Sequence, residues 1–190
     1  MLRKLLLPRA EEVIARTIAR LQTVTFEQDP LMSVDESFIV SIWDSAKKRD
    51  GAVIEAAMMD AIEQTPTLRL LSVARIERRT VDVQFELIAN RHIVALEVKR
   101  GSLQDSKAIR QFRADLISMP AVIHSLWADC PLEHIHFHIV FVGGTPPIHE
   151  GLRLVNLKKL YGLDATAHIE TARRMFSAAV REVIISRRGN

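Results

Sequence analysis

Val81-Asp82-Val83-Gln84-Phe85-Glu86-Leu87 and, a few residues on, Ile93-Val94-Ala95-Leu96-Glu97-Val98-Lys99 carry the decisive pattern in this chain. Both alternate with a period of two, the signature of half-buried strands. Val81, Val83, Phe85 and Leu87 take one face of the first, and Asp82, Gln84 and Glu86 the other. In the second, Val94, Leu96 and Val98 share a face, as do Ala95, Glu97 and Lys99. The short break near Ala89 to Arg91 predicts an antiparallel hairpin. A two-residue turn at Ala89-Asn90 sets Asp82 opposite Glu97, and one at Asn90-Arg91 sets Asp82 opposite Lys99. Both registers keep Asp82, Glu97 and Lys99 on one face. A three-residue loop would set the apolar face against the charged one, so it is rejected. The hairpin therefore gathers two carboxylates and an amine within roughly 5–8 Å between Cβ atoms.

Around the hairpin the pattern changes. Residues 9–24 carry a helical stripe of Val13, Ile14, Thr17, Ile18 and Leu21. Asp35 is expected to cap a helix to about residue 48, Asp50-Gly51 to break or kink it, and a second helix to end before Thr65-Pro66. Residues 68–78 read as a strand. Residues 105–119 read as a helix with Ala108, Ile109, Phe112 and Leu116 on its apolar side, interrupted at Pro120 and able to resume as far as Trp127. A strand over 134–142 follows, closed by Gly143-Gly144 and the loop Thr145-Pro146-Pro147. The 152–160 stretch is ambiguous, and 165–186 predicts a long closing helix. The order implies an α/β or α+β fold, with a sheet of at least four strands flanked by helices. The 190 residues are expected to form a single domain, 1–190, with extra helices at both ends.

Glu97 lies in the most apolar strand. A carboxylate there needs a strong partner, because an unpaired buried charge is costly. A hard divalent cation is one such partner, and oxygen ligands suit Mg²⁺. Glu55 adds a third carboxylate. Ala52, Met58, Met59 and Ile62 stand at helical spacing around it, so it falls on a buried stripe. Asp60 and Gln64 lie on the opposite, solvated side.

Gly51-Ala52-Val53-Ile54-Glu55, Asp82 and Glu97-Val98-Lys99, in this order and in these elements, resemble the PD-(D/E)XK nuclease superfamily, the restriction-endonuclease-like fold. The resemblance covers about residues 50–142, with 1–49 and 150–190 as helical elaborations. Val81 stands where the motif name has Pro. Gln111 resembles the Gln of a Q-x-x-x-Y motif in one branch, but position 115 is Asp. The resemblance implies a metal-dependent endonuclease hydrolysing DNA, with restriction as the favoured role and repair or transposition as alternatives. It implies that Asp82, Glu97 and the Val98 carbonyl hold Mg²⁺, or Mn²⁺, with Glu55 completing the shell, while Lys99 positions the attacking water. Lys107, Arg110 and Gln111 would contact phosphates. A homodimer would supply two sites for two strands. A non-cleaving nucleic-acid-binding protein of the same fold is the other reading.

The remaining features exclude more than they assign. Net charge is +3, so a polyanionic partner is allowed but not demanded. Cys130 is the single cysteine, which excludes an internal disulfide and argues against a cysteine-based zinc site. No apolar run reaches the roughly 18–20 residues of a membrane span, and Leu5-Leu6-Leu7 is too short for a signal-peptide core; a cytoplasmic location is expected. His134, His136 and His138 alternate along one strand face, with a half-exposed surface favoured over a shared transition metal.

Overall fold

The computed structural model describes residues 5–72, 75, 76, 79–101, 106–143, 146 and 148–188. Asp105 and the Gly144-Thr145 and Pro147 positions, assigned above to a helix start and a loop, lie outside them. The chain divides into two compact units, Met1–Asp60 with Ala167–Asn190, and Ala61–Thr166.

The second unit is built on a mixed five-stranded sheet. In chain order its strands are β1 (Leu68–Leu70), β4 (Val83–Leu87), β5 (His92–Lys99), β6 (Ile135–Phe141) and β7 (Leu152–Arg153), and they keep this order across the sheet. β1, β4 and β5 are antiparallel, whereas β6 and β7 join in parallel. A small ribbon, β2 (Arg75–Ile76) with β3 (Arg79–Thr80), occupies the connection that was expected to extend the first strand. The parallel step from β5 to β6 needs a crossover, and α3 (Ser106–His124) supplies it. α4 (Leu154–Tyr161) follows β7, resolving the ambiguous stretch into a short strand and a helix.

The hairpin register is the one that an Ala89-Asn90 turn predicts, with Val83 opposite Leu96 and Phe85 opposite Val94. The turn itself is longer, spanning 88–91 between the paired Leu87 and His92. Adding one residue at each end of a two-residue turn leaves parity unchanged, so the faces stay as expected. Arg91 closes the loop at φ 58°, its N–H donating to the Leu87 carbonyl at 2.8 Å.

One sheet face carries Ile93, Ala95, Ile135, Phe137, Ile139 and Phe141, packed with Phe112, Met119 and Ile123 of α3. Each of the larger side chains, Ala95 apart, contributes about 1.5–3 kcal/mol on burial. This explains why α3 runs straight through Pro120 rather than stopping there. A proline inside a helix costs about 3 kcal/mol, and Met119 and Ile123 on either side offset it. The other face carries Val83, Phe85, Val94 and Leu96, all buried, together with a row of imidazoles described below.

The first unit comprises α1 (Pro8–Leu21), α2 (Val34–Glu63, through Asp60) and α5 (Thr166–Arg188). The expected break at Asp50-Gly51 does not occur, since α2 is continuous. One interior glycine costs only about 1 kcal/mol. Val53, Ile54 and Ala57 are fully buried just beyond it, and Asp50 is paired with Arg173 of α5 at 3.3 Å. The cap is Ser33 rather than Asp35. Ser33 Oγ accepts the Glu36 N–H at 3.2 Å, and the Glu36 carboxylate accepts the Ser33 N–H at 2.8 Å, a capping box. Asp60 is not solvated either. It is 1% exposed and accepts the N–H groups of Arg9 and Ala10 at 3.1 and 3.0 Å. Those are orphan donors in the first turn of α1, whose own N-cap, Leu7, provides no side-chain acceptor.

Candidate active site

β5 carries Glu97, Val98 and Lys99 to the end of the sheet remote from the hairpin turn. Glu97 pairs with Ile139 and Lys99 with Phe141, which places both on the α3 face. The Lys99 ammonium is ion-paired to the Glu97 carboxylate and stands 5.5 Å from the centre of the Phe112 ring. Their side chains are 29% and 21% exposed, so the pair is reached by solvent without being free in it.

Asp82 reaches this pair by a break in the alternation. Val83 is the partner of Leu96, yet the Asp82 N–H also reaches the Leu96 carbonyl, at 3.1 Å. Two consecutive residues facing one is the arrangement of a β-bulge, which re-aims side chains and shifts the strand's facing. Two effects follow. Val81, expected beside Val83 and Phe85, instead joins the core on the α3 side. Asp82 turns edge-on, its Oδ2 accepting the Val98 N–H at 2.7 Å. Simple alternation thus brings Asp82 to the right neighbourhood but misstates how it faces. Burial pushes its carboxyl above the ordinary value. The Val98 N–H and Lys99 pull against this, and Glu97 adds to it. Asp82, Glu97, Val98 and Lys99 are therefore one electrostatic cluster.

The other expected residues are distributed differently. Glu55 is half-buried on α2, in the first unit. Lys107, Arg110 and Gln111 are exposed on α3, and the Gln111 amide donates to buried Asp115 at 2.9 Å. Among the described residues, no group of three or more His, Cys, Asp or Glu side chains is placed to hold a metal ion. The two-carboxylate set of Asp82 and Glu97 is what the sheet itself provides.

Three participants were not singled out from the sequence. Gln84, next along from Asp82 on β4, is 2% exposed, and its Nε2 has no partner among the described residues. Its place between Asp82 and Glu86 on the polar face of the strand was the available signal. His92 and Tyr161 join the histidine strand on the opposite face. His92 Nδ1 lies 2.9 Å from His136 Nε2, His92 stacks on His134 at 4.3 Å, and His138 Nε2 lies 2.5 Å from the Tyr161 hydroxyl. The expected half-exposed histidine face is thus a half-buried, hydrogen-bonded row.

No protein-family model, curated protein or solved structure matches this chain. The site's geometry therefore carries the functional argument. Among the described residues, no helix is long and apolar enough to cross a membrane.

Proposed function

We propose that this chain is a metal-dependent nuclease of the restriction-endonuclease-like fold, hydrolysing DNA phosphodiester bonds at Asp82, Glu97 and Lys99. The observation that carries the reading is the bulge, which turns a desolvated Asp82 onto the Val98 N–H beside Glu97 and Lys99. The donor set fits a hard divalent cation. Two carboxylates lie close enough for Glu97 to raise the Asp82 pKa, and burial already penalises the charge on Asp82. Asp82 and Glu97 would hold Mg²⁺ or Mn²⁺. The Val98 carbonyl would join them, because N–H and C=O of one strand residue point to the same neighbour and the N–H already meets Asp82. When bound, the ion polarises the scissile phosphate and lowers the pKa of a coordinated water. Lys99, held by Glu97 and the Phe112 ring, would orient the attacking water and offset the negative charge developing on the phosphate. Lys107, Arg110 and Gln111 stand exposed on the helix that carries Phe112, where they would meet backbone phosphates. Cutting both strands of a duplex calls for two copies of the chain.

The test is incubation of the purified protein with plasmid, linear and single-stranded DNA and with RNA, in Mg²⁺, Mn²⁺ or EDTA. Cleavage that needs the metal and is lost in Asp82→Asn and Lys99→Ala is the expected result. Cleavage persisting in EDTA, or in Asp82→Asn, would refute the assignment. The direct Glu97–Lys99 ion pair favours one second reading, a non-cleaving nucleic-acid-binding protein, since each group satisfies the other. That reading expects DNA binding without Mn²⁺ uptake, measured by electron paramagnetic resonance of added Mn²⁺.

A further inference from the structure

Four of the chain's seven histidines, His92, His134, His136 and His138, stand together on the sheet face opposite α3. The rest of that face, Val83, Phe85, Val94 and Leu96, is apolar and buried. More apolar side chains would serve packing alone, because a polar group placed there must find a partner. The partners are not those that strand spacing suggests. His136 and His138, two apart on β6, have parallel rings with centres 6.4 Å apart. The close pair lies across the ladder. His92 Nδ1 is 2.9 Å from His136 Nε2. Parallel pairing of β5 with β6, which sets Ile93 beside Ile135 and Val94 beside His136, brings these two nitrogens together.

Three further features bear on what this pair can do. Both rings are half-buried, so solvent and small ions reach them. His134 stacks on His92 with ring centres 4.3 Å apart and planes 18° apart, which steadies the plane of the His92 ring. The neighbouring Arg91 guanidinium is ion-paired with Glu86, whose strand partner Ile93 lies on the α3 face, so its positive charge is turned away. Two imidazole nitrogens that converge on one point are a chelating pair as well as a hydrogen bond. At metal–nitrogen bonds of ~2.05 Å, nitrogens 2.9 Å apart subtend about 90° at the metal. A tetrahedral ion with the same bonds needs them about 3.3 Å apart. The 90° angle is that of neighbouring ligands in a square-planar or tetragonal ion, which with nitrogen and oxygen ligands means Cu²⁺ or Ni²⁺, and Cu²⁺ binds a given site the more tightly.

We propose that His92 Nδ1 and His136 Nε2 form a two-histidine site for Cu²⁺, with water in the remaining positions. The ion takes the place of the hydrogen that lies between the two nitrogens. That hydrogen moves to the far nitrogen of the same ring, so both imidazoles stay neutral and no proton is released. The site lies on the opposite sheet face from Glu97 and Lys99. It selects a different class of metal, because imidazole suits transition-metal ions and carboxylate oxygen suits Mg²⁺. The proposal does not depend on the nuclease reading.

The test adds Cu²⁺ to the metal-stripped full chain in millimolar glycine, which retains loosely held copper, and records electron paramagnetic resonance at neutral pH. One equivalent should bind, with the superhyperfine splitting of two imidazole nitrogens, and excess Mg²⁺ should not displace it. His92→Gln and His136→Gln each keep a side chain that both donates and accepts a hydrogen bond, so a merely structural role for the pair survives the change. Each variant, checked for folding by circular dichroism, should nonetheless weaken uptake by at least the roughly tenfold that outer-shell changes alone cause at metal sites. His149→Gln, which alters an exposed histidine outside the row, should leave uptake as it is. The proposal is overturned by a wild-type spectrum with fewer than two nitrogens, by displacement with Mg²⁺, by unchanged uptake in the two glutamine variants, or by an equal loss in His149→Gln. The wild-type spectrum decides alone if either variant of the pair fails to fold.

Discussion

Acidification should weaken the second unit through His138, and the effect has a calculable size. Burial, and then neighbouring His136, lower the His138 pKa from 6.5 to about 4. Its Nε2 shares a hydrogen bond with the Tyr161 hydroxyl, whose own pKa burial raises to about 12. A protonated His138 could only donate there, so the hydroxyl proton would lose its acceptor as well. At ~1.4 kcal/mol per pKa unit, keeping the ring neutral is linked to up to about 3 kcal/mol of stability. Solvent at the half-buried ring trims this to nearer 2 kcal/mol. Because the folded pKa lies below the unfolded one, this stability is complete above about pH 6.5 and is lost as pH falls toward about 4. His136 shifts in the same direction, through burial and then His92 and His134, and adds to the trend. The assay is urea unfolding followed by Trp127 fluorescence in a Trp43→Phe background, across that pH window. The comparison is His138→Gln, which keeps an acceptor for Tyr161 but cannot titrate. Wild type should lose about 2 kcal/mol more than the variant. Parallel pH profiles for the two proteins would refute the reasoning.

Four further outcomes follow from individual contacts. Asp82→Asn keeps an acceptor for the Val98 N–H while removing a charge that folding penalises. Calorimetry should show a melting temperature at neutral pH equal to or above wild type, with Mn²⁺ uptake and cleavage lost. Asp60→Ala strands the first-turn N–H groups of α1 and should cost about 2 kcal/mol in urea unfolding. Ser33→Ala removes the α2 cap and should cost about 1 kcal/mol in the same assay. Gly143→Ala would set a Cβ 2.9 Å from the Arg100 carbonyl, so thermal melting should register roughly 1–3 kcal/mol of strain.

The parts legible in the sequence were those governed by a strict period. Alternation through Val83–Leu87 and Ile93–Lys99 yields the hairpin, the parity of its register and the shared face of Glu97 and Lys99, because a one-residue slip would expose every apolar side chain; the choice between the two registers of that parity came from the structure. The α3 stripe was legible as far as Met119, whereas its passage through Pro120 was not, because that depends on burial of Met119 and Ile123 against the sheet. What stayed illegible depends on contacts between distant residues. Asp60 looks like a surface carboxylate until α1 offers it two donors from some fifty positions away. Gly51 looks like a helix end until Asp50 finds Arg173. The row joining His92 to His136 exists only because β6 adds in parallel beside β5. The bulge at Asp82 is the hardest case, since an extra residue in a strand leaves the hydrophobic pattern of its neighbours intact.

That bulge makes the position of Asp82 a matter of chain length as much as of side-chain identity. Deleting Val81 would remove the surplus residue and let the ladder run on unbroken. Such a protein would keep every acidic and basic group of the cluster, and its sheet would be at least as regular. Its Asp82 would nonetheless leave the Val98 N–H. On the proposed reading, a single-codon deletion that preserves Asp82, Glu97 and Lys99 should therefore weaken metal uptake and cleavage although no charged group is replaced.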